Sequence, residues 1–228
     1  MRIVLWIGAA LAVVLVLAVF GLYRASRHVP EFYAQALLGD PVAQKAASQE
    51  MQLRSVELAS HVQRGGRWQQ TFTAEQINGW LAVGMFEKHE EDGAERFAAA
   101  IPPFIKDPRV AITPEGLSLA CRYQGGSWGD TVLSLTVDAY ATEENEIALR
   151  IRRLRAGAVP VPVGTVLKEL SPAWRQMPWR TRLSEQQGEP VVLISIPPQG
   201  KRGELLVRVE AIRFGDGKIE VAGTTQRR

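Results

Sequence analysis

Two short stretches of the chain carry residue types that could do chemistry. The first, Gly125-Gly126-Ser127-Trp128-Gly129, matches the G-x-S-x-G pattern of a nucleophilic serine at a strand-to-helix turn. Such a site needs a helix after the serine, and an acid and a histidine later in the chain. Here the residues from Thr131 to Val137 alternate as in a strand, and no histidine follows His89. The pattern therefore favours a glycine-rich hairpin turn over a serine hydrolase.

The second stretch is the acidic segment 87–92, which contains His89 among three glutamates and an aspartate. A metal site needs ligands that converge at a fixed geometry, and the chain has neither H-E-x-x-H nor a pair of cysteines. We interpret this segment as a solvated loop. Because phosphate-binding and dinucleotide-binding motifs are also absent, the sequence predicts no cofactor, no metal and no catalysis.

The longest apolar run in the chain extends from Ile3 to Leu22 without a charged side chain, which is 20 residues. A helix of about 20 residues crosses a bilayer core of about 30 Å. The run exceeds the apolar core of a secretory signal peptide, and no A-x-A cleavage site follows it. We expect an uncleaved signal-anchor; a cleaved signal peptide and a buried helix are the alternatives.

The charges beside this run predict a localisation. Arg2 and the α-amino group on one side nearly balance Arg24 and Arg27 on the other, and a short N-terminal tail usually stays inside. We therefore expect a single-pass protein of the cell membrane whose large domain lies outside the cytoplasm. The single Cys121 agrees, since it demands neither a disulfide nor a reducing compartment. The net charge of +3 includes the flanking arginines and predicts no nucleic-acid partner.

Local signals predict the helices that precede the strands. Asp40-Pro41 combines an N-cap with proline at the first helical position, and we expect that helix to end near Gln63, before Gly65-Gly66. Thr73 and Gln76 have the spacing of a capping box, which predicts a second helix. One face of this second helix is expected to carry Ile77, Trp80, Leu81 and Met85.

From Arg109 onward, apolar residues recur with the period of two that is typical of strands with one buried face. The segment from Val191 to Ile196 is apolar on both faces and predicts a central strand. Gly215-Asp216-Gly217 predicts a hairpin turn. Helical spacing returns at Val163, Val166, Leu167 and Leu170, and a further helical piece from Pro172 to Arg182, with Trp174 and Trp179, is expected to follow.

These elements predict an α+β fold, with an N-terminal transmembrane helix and a meandering antiparallel sheet that packs against helices on one face. We expect three regions: an anchor with short flanks at 1–28, a membrane-proximal helical segment at 29–66, and an α+β domain with long antiparallel strands at 67–228.

Two groups of side chains outside the anchor could contact a membrane surface. Arg150 and Arg152, at a basic strand end, could meet anionic headgroups, although a solvated sheet face with salt-bridge partners is the alternative. Trp174 and Trp179 alternate with arginines and could lie at the membrane interface, where tryptophan is favoured. Core packing is the alternative for both tryptophans.

Two motifs give the chain a family resemblance. The stretch from Phe72 to Leu81 resembles the E-x-[LI]-N-x-L-L segment of the YpmS-like bacterial single-span membrane proteins. The stretch from Arg155 to Val163, with its Gly-Ala-Val-Pro-Val-Pro run, resembles the step into a helix in the same family. The likeness extends from Trp68 to Gly223, and Gly79 stands where the family tends to have a larger residue.

The resemblance implies a fold similar to the tubular lipid-binding (TULIP) superfamily, in which a curved antiparallel sheet encloses an apolar groove around a helix. It also implies a structural role for Asn78, as a hydrogen-bond partner of a neighbouring loop. Alternation would then place the following residues in the groove, although they would equally fill an ordinary core: Ile77, Trp80, Leu81, Leu133, Leu135, Val137, Leu149, Ile151, Val163, Leu167 and Leu170.

The predicted fold and the resemblance favour two alternative functions. The first is a non-catalytic, membrane-tethered domain of the cell envelope that holds or transfers a lipid or another apolar ligand. The second is a tethered scaffold or assembly factor with a filled core and a binding site on its surface. A continuous apolar groove of several hundred Å³ would favour the first, and a core of normal packing density would favour the second.

Overall fold

The computed structural model describes residues 21, 23–84, 104–124, 130–143, 145–164, 180–200 and 203–227. Several predictions therefore lie outside the described residues: nearly all of the membrane span, the acidic segment 87–92, the G-x-S-x-G stretch, and residues Leu167, Leu170, Trp174 and Trp179. In the part of the chain that is described, no helix is both long enough and apolar enough to cross a bilayer.

The helices begin and end where the local signals predict. Helix α1 is Glu31–Leu37, α2 is Pro41–Arg64, and α3 is Ala74–Gly79, which continues into a π-helical turn at Trp80–Gly84. The Asp40 carboxylate accepts a hydrogen bond from the Ala43 N–H at 3.1 Å, and Gly65 follows the last turn of α2. Both hydrogen bonds of the capping box at Thr73 and Gln76 are present, at 3.0 and 3.2 Å.

The strands form two sheets, and all pairings between the described strands are antiparallel. The larger sheet has the order β2-β3-β4-β5-β8-β7, with β6 beside β5, and the smaller has the order β1-β10-β9. The predicted α+β class is confirmed, but the expectation of helices on one face is wrong. Tyr33 of α1 contacts Ala120, whereas the Leu81 cluster after α3 contacts Leu119, and adjacent strand residues point to opposite faces. The strands are β1 Gly66–Thr73, β2 Ile105–Thr113, β3 Gly116–Tyr123, β4 Thr131–Ala141, β5 Glu146–Ala156, β6 Val159–Pro160, β7 Thr181–Gln186, β8 Glu189–Ser195, β9 Leu205–Gly215 and β10 Lys218–Arg227.

The helix expected to reach Arg182 is wrong at its end, because Thr181 and Arg182 pair with β8 and begin strand β7. Two other strand predictions are confirmed. Strand β8 lies between β5 and β7, and its central residues Val191, Val192 and Leu193 are all buried, as expected of a segment that is apolar on both faces. The turn at Gly215-Asp216-Gly217 joins β9 to β10 in a hairpin.

A β-bulge keeps the apolar side chains of β5 on one face. Val137 pairs with Ile151, but two residues earlier Leu135 pairs with Leu154, so β5 has one residue more than β4 across this step. Without that extra residue, strict alternation would turn Arg153 to the buried face and Leu154 to solvent, because a shift of one residue reverses every side chain that follows. Leu154 is buried and Arg153 is exposed. Bulges also bend and twist the strand that carries them.

The two sheets are joined by an apolar cluster and by hydrogen bonds. Trp68 on β1 is buried against Val207 and Val209 on β9, and Ala141 on β4 packs against them from the larger sheet. Within the smaller sheet, the Trp68 indole N–H donates to the Thr225 hydroxyl at 3.1 Å. The Asn145 side chain, in the β4–β5 turn, donates to the Val207 carbonyl at 2.7 Å and accepts from the Val209 N–H at 3.3 Å.

The helices of the predicted segment 29–66 pack on the strands. Tyr33 in α1 is 1% exposed, contacts Ala120 and Val132, and donates a hydrogen bond from its hydroxyl to the Asp107 carbonyl at 3.0 Å. Helix α2 packs along α3, the π-helical turn and β1. The structure thus includes these helices in the same packed body as the sheets.

Candidate ligand-binding face

One face of the larger sheet is apolar across five strands. Leu119, Leu135 and Leu154 form one row across β3, β4 and β5, and Leu117, Val137 and Ile151 form the next row. Leu149 pairs with Val192 and extends this surface onto β8. We call this surface the apolar face. Its members are Val110, Leu117, Leu119, Leu133, Leu135, Val137, Leu149, Ile151, Leu154, Val192 and Ile194, with Val163 packed against them.

Burial varies across the apolar face. The central residues Val137, Ile151 and Val192 are 3–6% exposed. The leucines around them are only partly buried, namely Leu117, Leu119, Leu133, Leu135 and Leu149. Since about 25 cal/mol is gained per Å² of apolar surface removed from water, these leucines retain surface that an apolar ligand could still cover.

The end of α3 and the π-helical turn that follows it cover one side of the apolar face. Leu81 and Val110 are buried together, with Ile77 and Trp80 packed against them. Leu117 and Leu119 contact both this cluster and the central one, so the two clusters are continuous.

Asn78 fixes α3 to the edge of the sheet. Its amide donates to the Val110 carbonyl at 2.9 Å and accepts from the Val110 N–H at 2.7 Å. Strand β2 is the edge of the larger sheet, and Asn78 supplies the donor and acceptor that a further strand would have provided. The resemblance implies a partner in a loop for Asn78, and the observed partner is a strand.

The structure brings nine of the predicted groove residues to this one surface, and Leu167 and Leu170 lie outside the described residues. Whether the nine line a groove or fill a core stays a prediction. Leu117, Leu119, Val192 and Ile194 also lie on this surface but were not predicted in the groove, although the alternation along β3 was a usable signal for the first two. The nine residues are Ile77, Trp80, Leu81, Leu133, Leu135, Val137, Leu149, Ile151 and Val163.

The arginines predicted at the membrane surface lie on the other face of the sheet and have carboxylate neighbours. Arg152 approaches Asp138 at 3.3 Å and Glu189 at 3.5 Å. The guanidinium of Arg150 lies 3.5 Å from the Glu189 carboxylate and 5.3 Å from the centre of the Tyr140 ring. These are the ion pairs of the alternative interpretation, and contact of Arg150 and Arg152 with headgroups stays a prediction.

A concave region separate from the apolar face lies between α2 and one end of β9. It has a volume of about 930 Å³, within the range of roughly 300–1,000 Å³ that is usual for ligand pockets. Its lining is mixed, with Leu58, Val62, Ile196, Leu205 and Val207 beside Gln63, Arg64, Gln199, Glu204 and Arg227. We call this region the α2–β9 cleft. None of the predicted groove residues lines it. Its walls come from elements more than 130 residues apart in the chain, so no local sequence pattern indicates that they meet.

The groups that could do chemistry do not converge in the described part of the chain. No set of three histidine, cysteine, aspartate or glutamate side chains there could hold a metal ion. Burial raises the pKa of the Cys121 thiol to about 12, so this cysteine is a neutral thiol at pH 7. Neither a protein-family model nor a curated protein matches the chain. The likeness to the YpmS-like proteins therefore stays a prediction that rests on the motifs alone.

Proposed function

We propose that this chain is a non-catalytic protein anchored in the cell membrane by residues 3–22, whose domain outside the cytoplasm binds a lipid or another apolar ligand. The ligand lies on the apolar face. The observation that carries the proposal is the set of partly buried leucines on β3, β4 and β5 that lies around the buried centre of the apolar face.

The size and composition of the apolar face suit an acyl chain. A ligand that covers the exposed parts of these leucines gains about 0.8 kcal/mol for each buried methylene group, so a few contacts give useful affinity. The π-helical turn after α3 adds Trp80, a large aromatic side chain, to this surface. A polar ligand would find few partners among these side chains.

A scaffold or assembly factor is the second candidate, and the outer surface of α2 favours it. Val42, Leu53 and Val56 are 76%, 65% and 59% exposed, and their spacing places them within a narrow sector of the helix. Exposed apolar side chains that share one face of a helix commonly mark a protein-protein contact.

The test is native mass spectrometry combined with lipid extraction, on a chain of residues 23–228. This chain lacks the anchor but keeps the helical residues that contact the sheet. We expect a phospholipid to co-purify at a near-stoichiometric level, or to be taken up when vesicles are added. A clean apo mass with no uptake would overturn the lipid-binding proposal and leave the scaffold.

Matched variants locate the ligand. Leu135→Gln on the apolar face should reduce uptake, and the volume-conserving Leu135→Met should keep it. Leu53→Gln makes the same chemical change on the outer surface of α2 and should have no effect. If Leu58→Gln in the α2–β9 cleft abolishes uptake while Leu135→Gln does not, the apolar face is excluded. Circular dichroism confirms that each variant folds.

A further inference from the structure

The segment that follows the predicted span is fixed to the sheet. Residues 23–26 are helical, and the Ala25 carbonyl accepts a hydrogen bond from the Ala158 N–H at 2.7 Å. The Ser26 carbonyl accepts from the Thr131 hydroxyl at 2.5 Å. The chain is therefore held against the start of β4 and against the turn after β5, only three or four residues beyond Leu22.

Gly157 makes this contact possible. It has a φ of +61°, and a Cβ at this position would lie 2.4 Å from the carbonyl oxygens of both Ala25 and Ser26. Only glycine adopts this conformation readily and lets the two carbonyls approach so closely. Beyond the contact, α1 is fixed through the buried Tyr33, so the segment between the span and the domain is held at two points.

This contact sets the distance between the sheet and the membrane. A helix rises about 1.5 Å per residue, so Ala25 lies roughly 5 Å beyond the end of the predicted span at Leu22. The interfacial layer on each side of a bilayer core is roughly 5–8 Å thick. The turn at Gly157 and Ala158 would therefore lie among the headgroups, with β4 and β5 leading away from them.

The same end of the domain carries exposed arginines. Arg155 lies two residues before Gly157, and Arg153 lies two residues before Arg155. Both side chains point to solvent. Arg24 and Arg27 lie beside the contact itself and are exposed as well. Among the described residues, Arg24, Arg153 and Arg155 have no carboxylate within ion-pair distance, unlike Arg150 and Arg152.

We infer that the domain is held in one orientation on the membrane, and that Arg24, Arg27, Arg153 and Arg155 form a contact surface for anionic phospholipid headgroups. The inference rests on the anchor proposed above, but it does not depend on a lipid bound at the apolar face. Anionic headgroups are the partner because Arg24, Arg27 and Arg155 place their positive charges beside the turn at headgroup depth, and Arg153, about 7 Å further from the turn along β5, adds a fourth charge just beyond it. Asp130 is the acidic side chain described nearest to the start of β4.

The orientation is tested by fluorescence quenching on the full-length chain in vesicles. A bimane label is attached at Ala158→Cys, or at Glu143→Cys, in a Cys121→Ala background. Glu143 is exposed at the far end of the β4–β5 hairpin, about 35 Å from Ala158 given the 11 residues of β4. The vesicles contain phosphatidylcholine and phosphatidylglycerol at 70:30, with a headgroup-labelled quencher lipid.

We expect strong quenching at Ala158→Cys and at least threefold weaker quenching at Glu143→Cys. Equal quenching at the two positions would overturn the fixed orientation. Gly157→Val, which excludes the contact with Ala25 and Ser26, should reduce the difference between the two labels. A difference that survives this substitution would show that the contact does not orient the domain.

The contribution of the exposed arginines to membrane contact is tested by comparing vesicles with and without phosphatidylglycerol. Anionic lipid should increase the quenching at Ala158→Cys, and the double variant Arg153→Gln and Arg155→Gln should remove that increase. Arg152→Gln, on the same strand but beside Asp138 and Glu189, should leave it unchanged. If anionic lipid has no effect, or if the two variants behave alike, the headgroup surface is excluded.

A separate extraction experiment tests whether the chain is anchored in the membrane. A chain that alkaline carbonate extracts from the vesicles is not anchored, and this result would overturn both the proposed anchor and the inferred orientation. Lipid uptake by residues 23–228 is measured without the span, so its outcome is independent of the quenching result.

Discussion

At the scale of single residues, two asparagines each replace a missing strand neighbour. Asn78 bonds both backbone groups of Val110 on β2, and Asn145 bonds Val207 and Val209 on β9. Strands β2 and β9 are edges of their sheets, and buried backbone groups at an edge need partners. An amide side chain meets this need because it offers one donor and one acceptor side by side.

Asn78→Asp should destabilise the fold by about 1–3 kcal/mol, because the carboxylate cannot donate to the Val110 carbonyl and leaves this buried acceptor unpaired. The midpoint of urea unfolding measures the change. Gln49→Glu makes the same amide-to-acid change at an exposed position of α2 and should stay within about 0.5 kcal/mol of the native chain. Equal midpoints for the two variants would refute the structural role of Asn78.

Tyr33 and Cys121 predict a loss of stability at high pH. Burial, and then the nearby Asp107 carboxylate, raise the pKa of Tyr33 from 10 to about 12, and burial raises the pKa of Cys121 from 9 to about 12. Between pH 9 and 12 the unfolded chain releases protons that the folded chain retains. The free energy of unfolding therefore falls as pH rises through this range, and the contribution is complete below pH 9.

Urea unfolding at pH 8, 10 and 11 measures this dependence. The double variant Tyr33→Phe and Cys121→Ala lacks both groups and should lose stability less steeply above pH 9, even though it begins less stable because the hydrogen bond to the Asp107 carbonyl is gone. Parallel pH profiles for the native chain and the double variant would show that other groups, such as lysines, account for the alkaline loss.

At the scale of elements, the close approach of α2 and α3 explains why residue 79 is a glycine. A Cβ at Gly79 would lie 2.6 Å from the Gln44 carbonyl oxygen, and 2.8 Å from both the Ala47 Cβ and the Ser48 backbone nitrogen. The surface of α2 at this contact is itself made of small side chains. The helix pair therefore depends on small residues on both sides, and a larger residue at Gly79 needs a wider separation of the helices.

Gly79→Ala should destabilise the fold, although alanine favours a helix over glycine by about 1 kcal/mol. Overpacking costs about 1–3 kcal/mol, and the contacted atoms include backbone that cannot rotate away. Thermal unfolding measures the shift. Gly164→Ala, where an added Cβ meets nothing within 4 Å, is the matched control and should be neutral or stabilising. A rise in melting temperature for Gly79→Ala would contradict the close contact.

At the scale of the whole molecule, the smaller sheet is attached to the larger one through a few side chains and through a backbone hydrogen bond from the Gly217 N–H to the Ile112 carbonyl at 3.0 Å. The Trp68 cluster and the Asn145 amide connect β9 with the strands and turns of the larger sheet. The α2–β9 cleft opens beside this junction. Movement at the junction would therefore change the cleft and leave the apolar face intact.

Asn145→Gly should loosen this junction. Asn145 has a φ of +61°, which glycine adopts without strain, so the substitution removes the side-chain hydrogen bonds and keeps the turn. Hydrogen–deuterium exchange should become faster in β9, at Val207 and Val209 above all, while β4 and β5 keep their protection. Gln187→Gly, at an exposed turn position with a φ of +56°, should leave β9 unchanged. Unchanged exchange in β9 for Asn145→Gly would rule out this coupling.

Most local elements were predictable from the sequence by itself, and the exception among the described residues is β7, which begins where a helix was expected. The caps at Asp40 and Thr73, the alternating strands and the hairpin at Gly215-Asp216-Gly217 all depend on residues within about four positions of one another. Chemistry at this range needs no knowledge of the rest of the fold. The α+β class followed from the order of these elements, and so did the surface shared by most of the predicted groove residues.

Only the tertiary structure decided which distant residues meet. The partner of Asn78 lies 32 residues away, the partners of Ser26 and Trp68 lie 105 and 157 residues away, and no local pattern encodes these pairings. The bulge that turns Arg153 to solvent also depends on the register with β4, which is a property of two strands together. Residue type and period determined the elements, whereas packing between elements determined the edge partners, the cleft and the contact of residues 25–26 with the sheet.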